Sequence, residues 1–280
     1  MKSLSMDAPA KINLFLDMES KRADGYHNII SVMQSISLCD TVTVEYTQSN
    51  KKEIEITCNA PEIPLGEKNI AYKAATRLID SGIVRIHIKK RIPAAAGLAG
   101  GSTDAAAVIL LLNSLIENKK SESELLEIGT KIGADVPFCM LGGTKLTRGI
   151  GDVMTDFTSM PDCYIVVAKK GEGISTPEAY YALDKMYSDF NDYAPKTSLL
   201  ERLEAQDMSG MFNIFESVVI PQRPAVQELK DCMISHGASF CMMSGSGPSV
   251  FGIFDSESKA SAAREHLIMS GADACVCRPQ

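Results

Sequence analysis

The stretch Pro93-Ala94-Ala95-Ala96-Gly97-Leu98-Ala99-Gly100-Gly101-Ser102-Thr103-Asp104 runs directly into an apolar helix pattern over residues 105–115. A glycine-rich turn that opens onto a helix suits phosphate. Gly97, Gly100 and Gly101 let bare backbone approach a ligand, and the helix start offers unpaired N–H groups at the positive end of its dipole. Ser102 and Thr103 add hydroxyls at that point. Upstream, Val84, Ile86 and Ile88 alternate along residues 83–89 as in a half-buried strand, so the order is strand, glycine loop, helix. No lysine follows the glycines as G-x-x-x-x-G-K-[ST] requires, and their spacing does not fit G-x-G-x-x-G. Read alone, the stretch is either a phosphate site or a helix start that needs small residues for packing.

With 280 residues and 45% apolar composition the chain has material for two domains and a sizeable core. A net charge of -7 argues against a broad nucleic-acid or anionic-membrane surface, so an anionic ligand must be held by local groups. The eight cysteines are scattered, with no C-x-x-C pair and no histidine at metal-ligand spacing, and they read as reduced thiols. Cys275 and Cys277 read as sharing one strand face rather than as a metal clip. Residues 1–7 lack the apolar core of a signal peptide, and the longest apolar run, residues 105–112, is too short to span a membrane. A cytoplasmic protein is the expectation.

Residues 7–17 read as extended, residues 41–46 and 53–58 alternate as strands, and the polar link 47–52 suits a hairpin between them. Apolar spacing predicts a helix over residues 69–80 that closes at Ser81-Gly82. A second helix starts at Ser121, where Glu124 completes a capping box, and runs to about Ile132. Residues 148–152 read as a loop. Beyond a boundary near Pro161, a strand at 163–168, helices at 177–186, 198–205, 224–235 and 256–269, and strands at 249–254 and 272–278 make a compact α+β half. The expected domains are residues 1–160 and 161–280, and residues 189–195 read as an exposed, mobile insert.

In Ala8-Pro9-Ala10-Lys11-Ile12-Asn13-Leu14, Lys11 and Asn13 fall on one side of an extended run because strand side chains repeat every two residues. Lys11 is then either poised for an anion or a carboxylate in a cleft, or an ordinary edge-strand lysine. Arg22-Ala23-Asp24-Gly25-Tyr26-His27 follows turn chemistry with two planar side chains. They suit a flat polar ligand such as a base, and a turn followed by a packed tyrosine fits as well. Gly133-Ala134-Asp135-Val136-Pro137-Phe138 sets a single acid among apolar residues, so Asp135 is expected to be partly desolvated. It reads as a general base, a carboxylate paired with a lysine, or a cap of the next turn. Met243-Ser244-Gly245-Ser246-Gly247-Pro248-Ser249 is a second glycine-serine loop, suited to closing over phosphates or to a tight link.

In this order along the whole chain, Pro9 to Leu14, Arg22 to His27, the phosphate loop, Gly133 to Phe138 and Ser244 to Ser249 resemble the GHMP kinase superfamily. Arg22 to His27 resembles the branch that acts on a cytidine-diphosphate-linked methylerythritol; homoserine, mevalonate and galactose kinases are not expected to carry that hexapeptide. The resemblance implies an α+β, two-domain GHMP kinase fold with ATP and substrate bound in the cleft between the domains. It also implies a cytoplasmic kinase that phosphorylates the substrate's 2-hydroxyl in non-mevalonate isoprenoid biosynthesis, using ATP and Mg²⁺. No nucleic-acid or membrane partner is implied, and the state would be monomer or homodimer.

By the same resemblance, Asp135 takes the proton from the acceptor hydroxyl while Lys11 polarises that hydroxyl or balances charge. A carboxylate beside a lysine stays ionised, and phosphoryl transfer mainly needs positioning and charge neutralisation. Pro93, Ala94, Ala95, Ala96, Gly97, Leu98, Ala99, Gly100, Gly101, Ser102 and Thr103 would cradle the ATP phosphates, with Ser102 or Thr103 on the Mg²⁺ side. Asn69 and Lys90 would also contact ATP. Tyr26 would stack on the cytosine and His27 bond it, with Asn13 beside the diphosphate or erythritol, Thr176 as a hydroxyl contact and Tyr180 as the second aromatic wall. Ala94 to Ala96 stand where some relatives have glycines, which narrows the loop's backbone freedom. Two further readings are a different chemistry on the same scaffold, such as a diphosphomevalonate decarboxylase, and a non-enzymatic nucleotide- or RNA-binding module. Tyr26-His27 counts against the first, and the acidic charge with Lys11 and Asp135 against the second.

Overall fold

The computed structural model describes residues 1–187 and 193–280. The chain begins with β1 (Lys2–Lys21), β2 (His27–Thr47), β3 (Lys52–Cys58), α1 (Ile70–Leu78), β4 (Gly82–Lys89) and α2 (Gly100–Leu115). It continues through α3 (Glu122–Thr130), α4 (Val136–Leu141), β5 (Thr144–Gly149), β6 (Val153–Asp156), β7 (Tyr164–Lys169) and α5 (Thr176–Met186). Then come α6 (Ser198–Glu204), β8 (Phe212–Asn213), α7 (Glu216–Val219), α8 (Pro224–Ser235), β9 (Phe240–Met243), β10 (Val250–Phe254), α9 (Glu257–Met269) and β11 (Asp273–Cys277).

The chain packs as two compact units, and neither is a single run of sequence. Met1–Ala10, Cys39–Ala94 and Ala99–Gly142 make the first; Lys11–Leu38, Ala95–Leu98 and Gly143–Gln280 make the second. A division at residue 160 cuts along the chain, whereas β1 and β2, at 20 and 21 residues, each contribute one end to each unit.

In the first unit β4 runs antiparallel to the Thr41–Thr47 end of β2 and parallel to β3. The link 47–52 is therefore not a hairpin, because β4 occupies the place beside β2. The burial pattern explains the order: Val84, Ile86 and Ile88 of β4 are buried, while β3 is mostly exposed and suits an edge. The helices α1 and α2 cover this surface through Ala71, Ala74, Leu78, Ala105, Val108 and Leu112. Alanines at these places let the two helices approach closely. Gly82 does not close α1; it opens β4 at φ +122°, where a Cβ would lie 2.5 Å from the Tyr46 ring. The Ser121–Glu124 capping box forms as expected at the start of α3.

In the second unit β11, β7, β10 and β9 form an antiparallel sheet in that order. Its apolar side chains, among them Val166, Ala168, Val250 and Phe254, pack with Leu229 and Met233 of α8 and Ala263 and Leu267 of α9. The Ile29–Gln34 part of β2 pairs with β5, and β1 pairs in parallel with β8 at Phe15 and Leu16. Arg148 and Gly149 extend β5 opposite Ile30 and Ile29, so the loop expected at 148–152 starts only after them. Of the insert expected at 189–195, residues 189–192 lie outside the described residues. Just beyond, the Tyr193 hydroxyl and the Lys196 N–H donate to the fully buried Asp17 carboxylate of β1 at 2.6 and 2.8 Å. The cysteines are free thiols. Among the described residues no helix is long and apolar enough to cross a membrane.

Candidate active site

The glycine loop achieves its turn with three left-handed residues in alternation: Ala95 at φ 47°, Gly97 at 73° and Ala99 at 58°. Two of them carry a Cβ, a conformation that costs about 1 kcal/mol each. Ala99 is the N-cap of the 16-residue α2 and offers no side-chain cap. The first helical bond runs from Thr103 N–H to Ala99 O at 2.9 Å, which leaves the N–H groups of Gly100, Gly101 and Ser102 without intrahelical acceptors. Also in the first unit, α4 packs along α2. The turn leading into α4 comes against the helix start: a Cβ on Gly133 would lie 4.0 Å from the Ser102 hydroxyl. Asp135 follows at the N-cap of α4, half-buried, and its side chain makes no cap bond. Of the sequence alternatives for this acid, capping is thereby removed.

Asn69 and Lys90 lie on the same unit with their polar atoms engaged by protein. Asn69 caps α1, its Oδ1 accepting Ala71 N–H at 2.8 Å and its Nδ2 donating to Pro64 O at 2.8 Å. The Lys90 ammonium pairs with buried Asp40 and, at 2.8 Å, with Asp104, the fifth residue of α2. Burial pushes the Asp104 carboxyl up to about 7, against the pull of Lys90 and reinforced by Asp40. For Lys90, burial acts downward, but the two carboxylates outweigh it and raise the ammonium's pKa.

In the second unit the loop tip, Ala95–Leu98, meets the Ser244–Ser249 loop. Ser244 Oγ donates to Gly97 O at 3.0 Å, and a Cβ on Gly97 would fall 2.1 Å from Ser244 O, so only glycine fits. Lys11 donates its N–H to Leu98 O at 3.2 Å. Its side chain is buried rather than spread on an edge strand: Nζ donates to Asn13 Oδ1 at 2.7 Å and comes within 3.4 Å of the Cβ position of Gly245. Asn13 Nδ2 in turn donates to Ser31 Oγ at 2.8 Å, and Ser31 to Phe15 O at 2.6 Å. Asn213 on β8 supports the second loop from below, donating to Met243 O and Gly245 O at 2.7 and 2.9 Å. Thr176 reaches Ser246 Oγ at 3.2 Å. Ser31 and Asn213 carried no signal in the sequence; they lie in ordinary strand patterns.

Tyr26 and His27 take opposite environments, at 63% and 6% exposure. The exposed Tyr26 ring is available for stacking. His27 is packed in a column, its ring stacked on Tyr180 at 5.0 Å and Tyr180 edge-on to Phe215 at 5.0 Å. Tyr180 thus forms an aromatic wall behind the histidine. His27 Nε2 lies 2.8 Å from Asp184 Oδ1, and Lys21 Nζ donates to Oδ2 at 2.7 Å. Partial burial works against ionisation of Asp184, but the Lys21 and His27 contacts prevail and hold its pKa below the ordinary value. Asp184 sits one helical turn after Tyr180 on α5, and that four-residue spacing is the one signal the sequence carries for it.

Residues 69–143 match the model for the GHMP kinases N terminal domain, and residues 186–271 that for the GHMP kinases C terminal. The 4-diphosphocytidyl-2-C-methyl-D-erythritol kinase of Alkaliphilus oremlandii is 44% identical over 277 residues, covering 95% of this chain and 93% of the relative. That of Acetivibrio thermocellus is also 44% identical, over 279 residues and 95% of each chain. A crystal structure of 4-(cytidine 5'-diphospho)-2C-methyl-D-erythritol kinase is similar with a TM-score of 0.82 at 31% identity, covering 99% of both chains. The motifs, the fold and these similarities agree over nearly the full length, and the chain belongs to the GHMP kinases, in the family of the 4-diphosphocytidyl-2-C-methyl-D-erythritol kinases.

Proposed function

We propose that this protein transfers the γ-phosphoryl group of ATP to the 2-hydroxyl of 4-diphosphocytidyl-2-C-methyl-D-erythritol, giving the 2-phosphate and ADP in non-mevalonate isoprenoid synthesis. The observation that carries this reading is the start of α2. Its open N–H groups follow the glycine loop, and the turn bearing Asp135 lies against Ser102. A phosphoryl group held there is near a carboxylate that is not engaged in capping.

In this reading Pro93 to Thr103 bind the triphosphate, Gly100, Gly101 and Ser102 by their N–H groups. Asp135 accepts the proton of the attacking hydroxyl as the new P–O bond forms and the bond to the ADP oxygen breaks. Lys11, already oriented by Asn13, supplies positive charge to the reacting oxygens, and Asn13 itself faces the diphosphate-erythritol portion. Mg²⁺ neutralises phosphate charge when bound with the nucleotide. The half-buried Ser102 hydroxyl and the Thr103 hydroxyl, which has no hydrogen-bond partner among the described residues, are oxygen ligands of the kind it accepts. Asn69 and Lys90 border the nucleotide site through the partners described above.

At the other end, Tyr26 stacks on the cytosine, while His27, held by Asp184 and backed by Tyr180, bonds its edge. Thr176, tied to Ser246, supplies a hydroxyl. We assign the reaction to the cytoplasm and to a monomer or homodimer; the net charge of -7 supports a protein that binds neither nucleic acid nor anionic membrane. Purified protein given ATP, Mg²⁺ and the cytidine substrate should release ADP and the 2-phosphate in equal amounts. ADP release no faster than without the acceptor would overturn the assignment.

A further inference from the structure

Lys90 leaves β4 and enters a cluster that brackets the phosphate loop. On the entry side, Asp40 Oδ1 accepts the N–H groups of Arg91 and Ile92 at 2.5 and 2.9 Å. Asn59 accepts Lys90 N–H at 2.6 Å and donates to Lys90 O at 3.2 Å. On the exit side, Lys90 Nζ donates at 2.8 Å to Oδ2 of Asp104, the fifth residue of α2. One ammonium therefore joins both ends of the loop. It passes beneath the first helical residue, since a Cβ on Gly100 would stand 3.1 Å from Lys90 Nζ and 3.1 Å from the Ile92 side chain.

The placement of this cluster needs a reason other than stability. Burying an ammonium and two carboxylates is expensive, and apolar residues of the same volume serve a core at least as well. Asp104 Oδ1 is buried with no hydrogen-bond partner among the described residues, which adds to the expense. What the cluster does achieve is geometric. The loop contains two alanines in the left-handed region, one of them Ala99 immediately before the helix, and such a conformation persists only where its surroundings over-determine it.

We infer that Lys90, with Asp40 and Asp104, forms a positioning cluster for nucleotide binding: it ties the exit of β4 to the N-terminal part of α2 and thereby holds Ala99 in the conformation that opens the helix N–H groups to phosphate. The inference rests on the proposed kinase reading and deepens it. Lys90 acts through the loop, not as a ligand of ATP.

The test is Asp104→Asn, which removes one charge at constant shape, with affinity for a non-hydrolysable ATP analogue measured calorimetrically and kcat measured at saturating ATP. The expected result is about tenfold weaker analogue binding, with kcat and the KM for the acceptor within about twofold of the parent. Adding Ala99→Gly should recover most of the lost affinity, because glycine adopts the left-handed conformation without help. Asp40→Asn serves as a second entry to the same cluster should Asp104→Asn fold poorly. Unchanged analogue affinity in a folded variant, or no recovery with Ala99→Gly, overturns the inference even if thermal stability falls. The kinase reading fails separately: there the parent binds the analogue but does not phosphorylate the acceptor.

Discussion

At the residue level the most consequential side chain is Asp135. It stands where a helix cap would, yet its carboxylate makes no cap bond, and it lies on the turn that abuts the start of α2. As the proposed base it should be sensitive to loss of charge alone. Asp135→Asn is expected to lower kcat by about a thousandfold, within the range of general-base contributions, while the Kd for the cytidine substrate changes little. Rapid-quench turnover paired with equilibrium binding checks this, and a kcat within tenfold of the parent would remove Asp135 from that role. Lys11 shows the same contrast between pattern and position. Two-residue spacing places it beside Asn13, but only the fold shows the ammonium buried and oriented, where the segment alone favours an ordinary edge-strand lysine.

Among the elements, the strands do more than carry the site residues. Asp17 is fully buried on β1 and receives Tyr193 OH, Lys196 N–H and Met18 N–H, fastening the chain ahead of α6. Burial raises its pKa above the ordinary 3.8, although those three hydrogen bonds pull the other way. The folded protein thus retains a proton that the unfolded chain has released. The contribution of Asp17 to stability is fully present below 3.8 and declines as pH rises through its raised pKa. Urea unfolding of the parent and Asp17→Asn at stepped pH should show the parent losing ground to the variant as pH increases from about 4. A difference that does not vary with pH would contradict that sign. The strand order also corrects a local inference. Residues 41–46 and 53–58 look like the arms of a hairpin, and loop chemistry between them agrees, but β4 has the more continuous apolar row and takes the central place.

For the molecule as a whole, the nucleotide-facing features and the base-facing features should report binding separately. A saturating ATP analogue and CDP are each expected to raise the melting temperature, by about 2.7 kcal/mol of stabilisation at a hundredfold excess over Kd, and CDP should compete with the cytidine substrate. CDP that neither stabilises nor competes would remove the cytidine assignment and leave the kinase family intact. The family was legible in the order of motifs: a strand, a glycine loop and a helix suit a phosphate site by local geometry, and Arg22 to His27 suits a flat polar ligand by side-chain type, though each stretch alone also fits a plain packing role. The capping box of α3 and most helix positions were equally readable, because capping and apolar periodicity act over a few residues. The packing units were not readable as a single cut, since β1 and β2 pass from one to the other. Nor were the supports of the site: Lys90 meets Asp40 across 50 positions, His27 meets Asp184 across 157 and Asn213 meets Gly245 across 32. The sequence by itself determined which chemistry the protein presents, because that chemistry resides in residue types and short spacings. Which lysine is buried beside a glycine loop, which is locked between carboxylates, and which acid remains uncapped were decided by tertiary structure alone, because ion pairing follows strand order and burial, which no local pattern encodes.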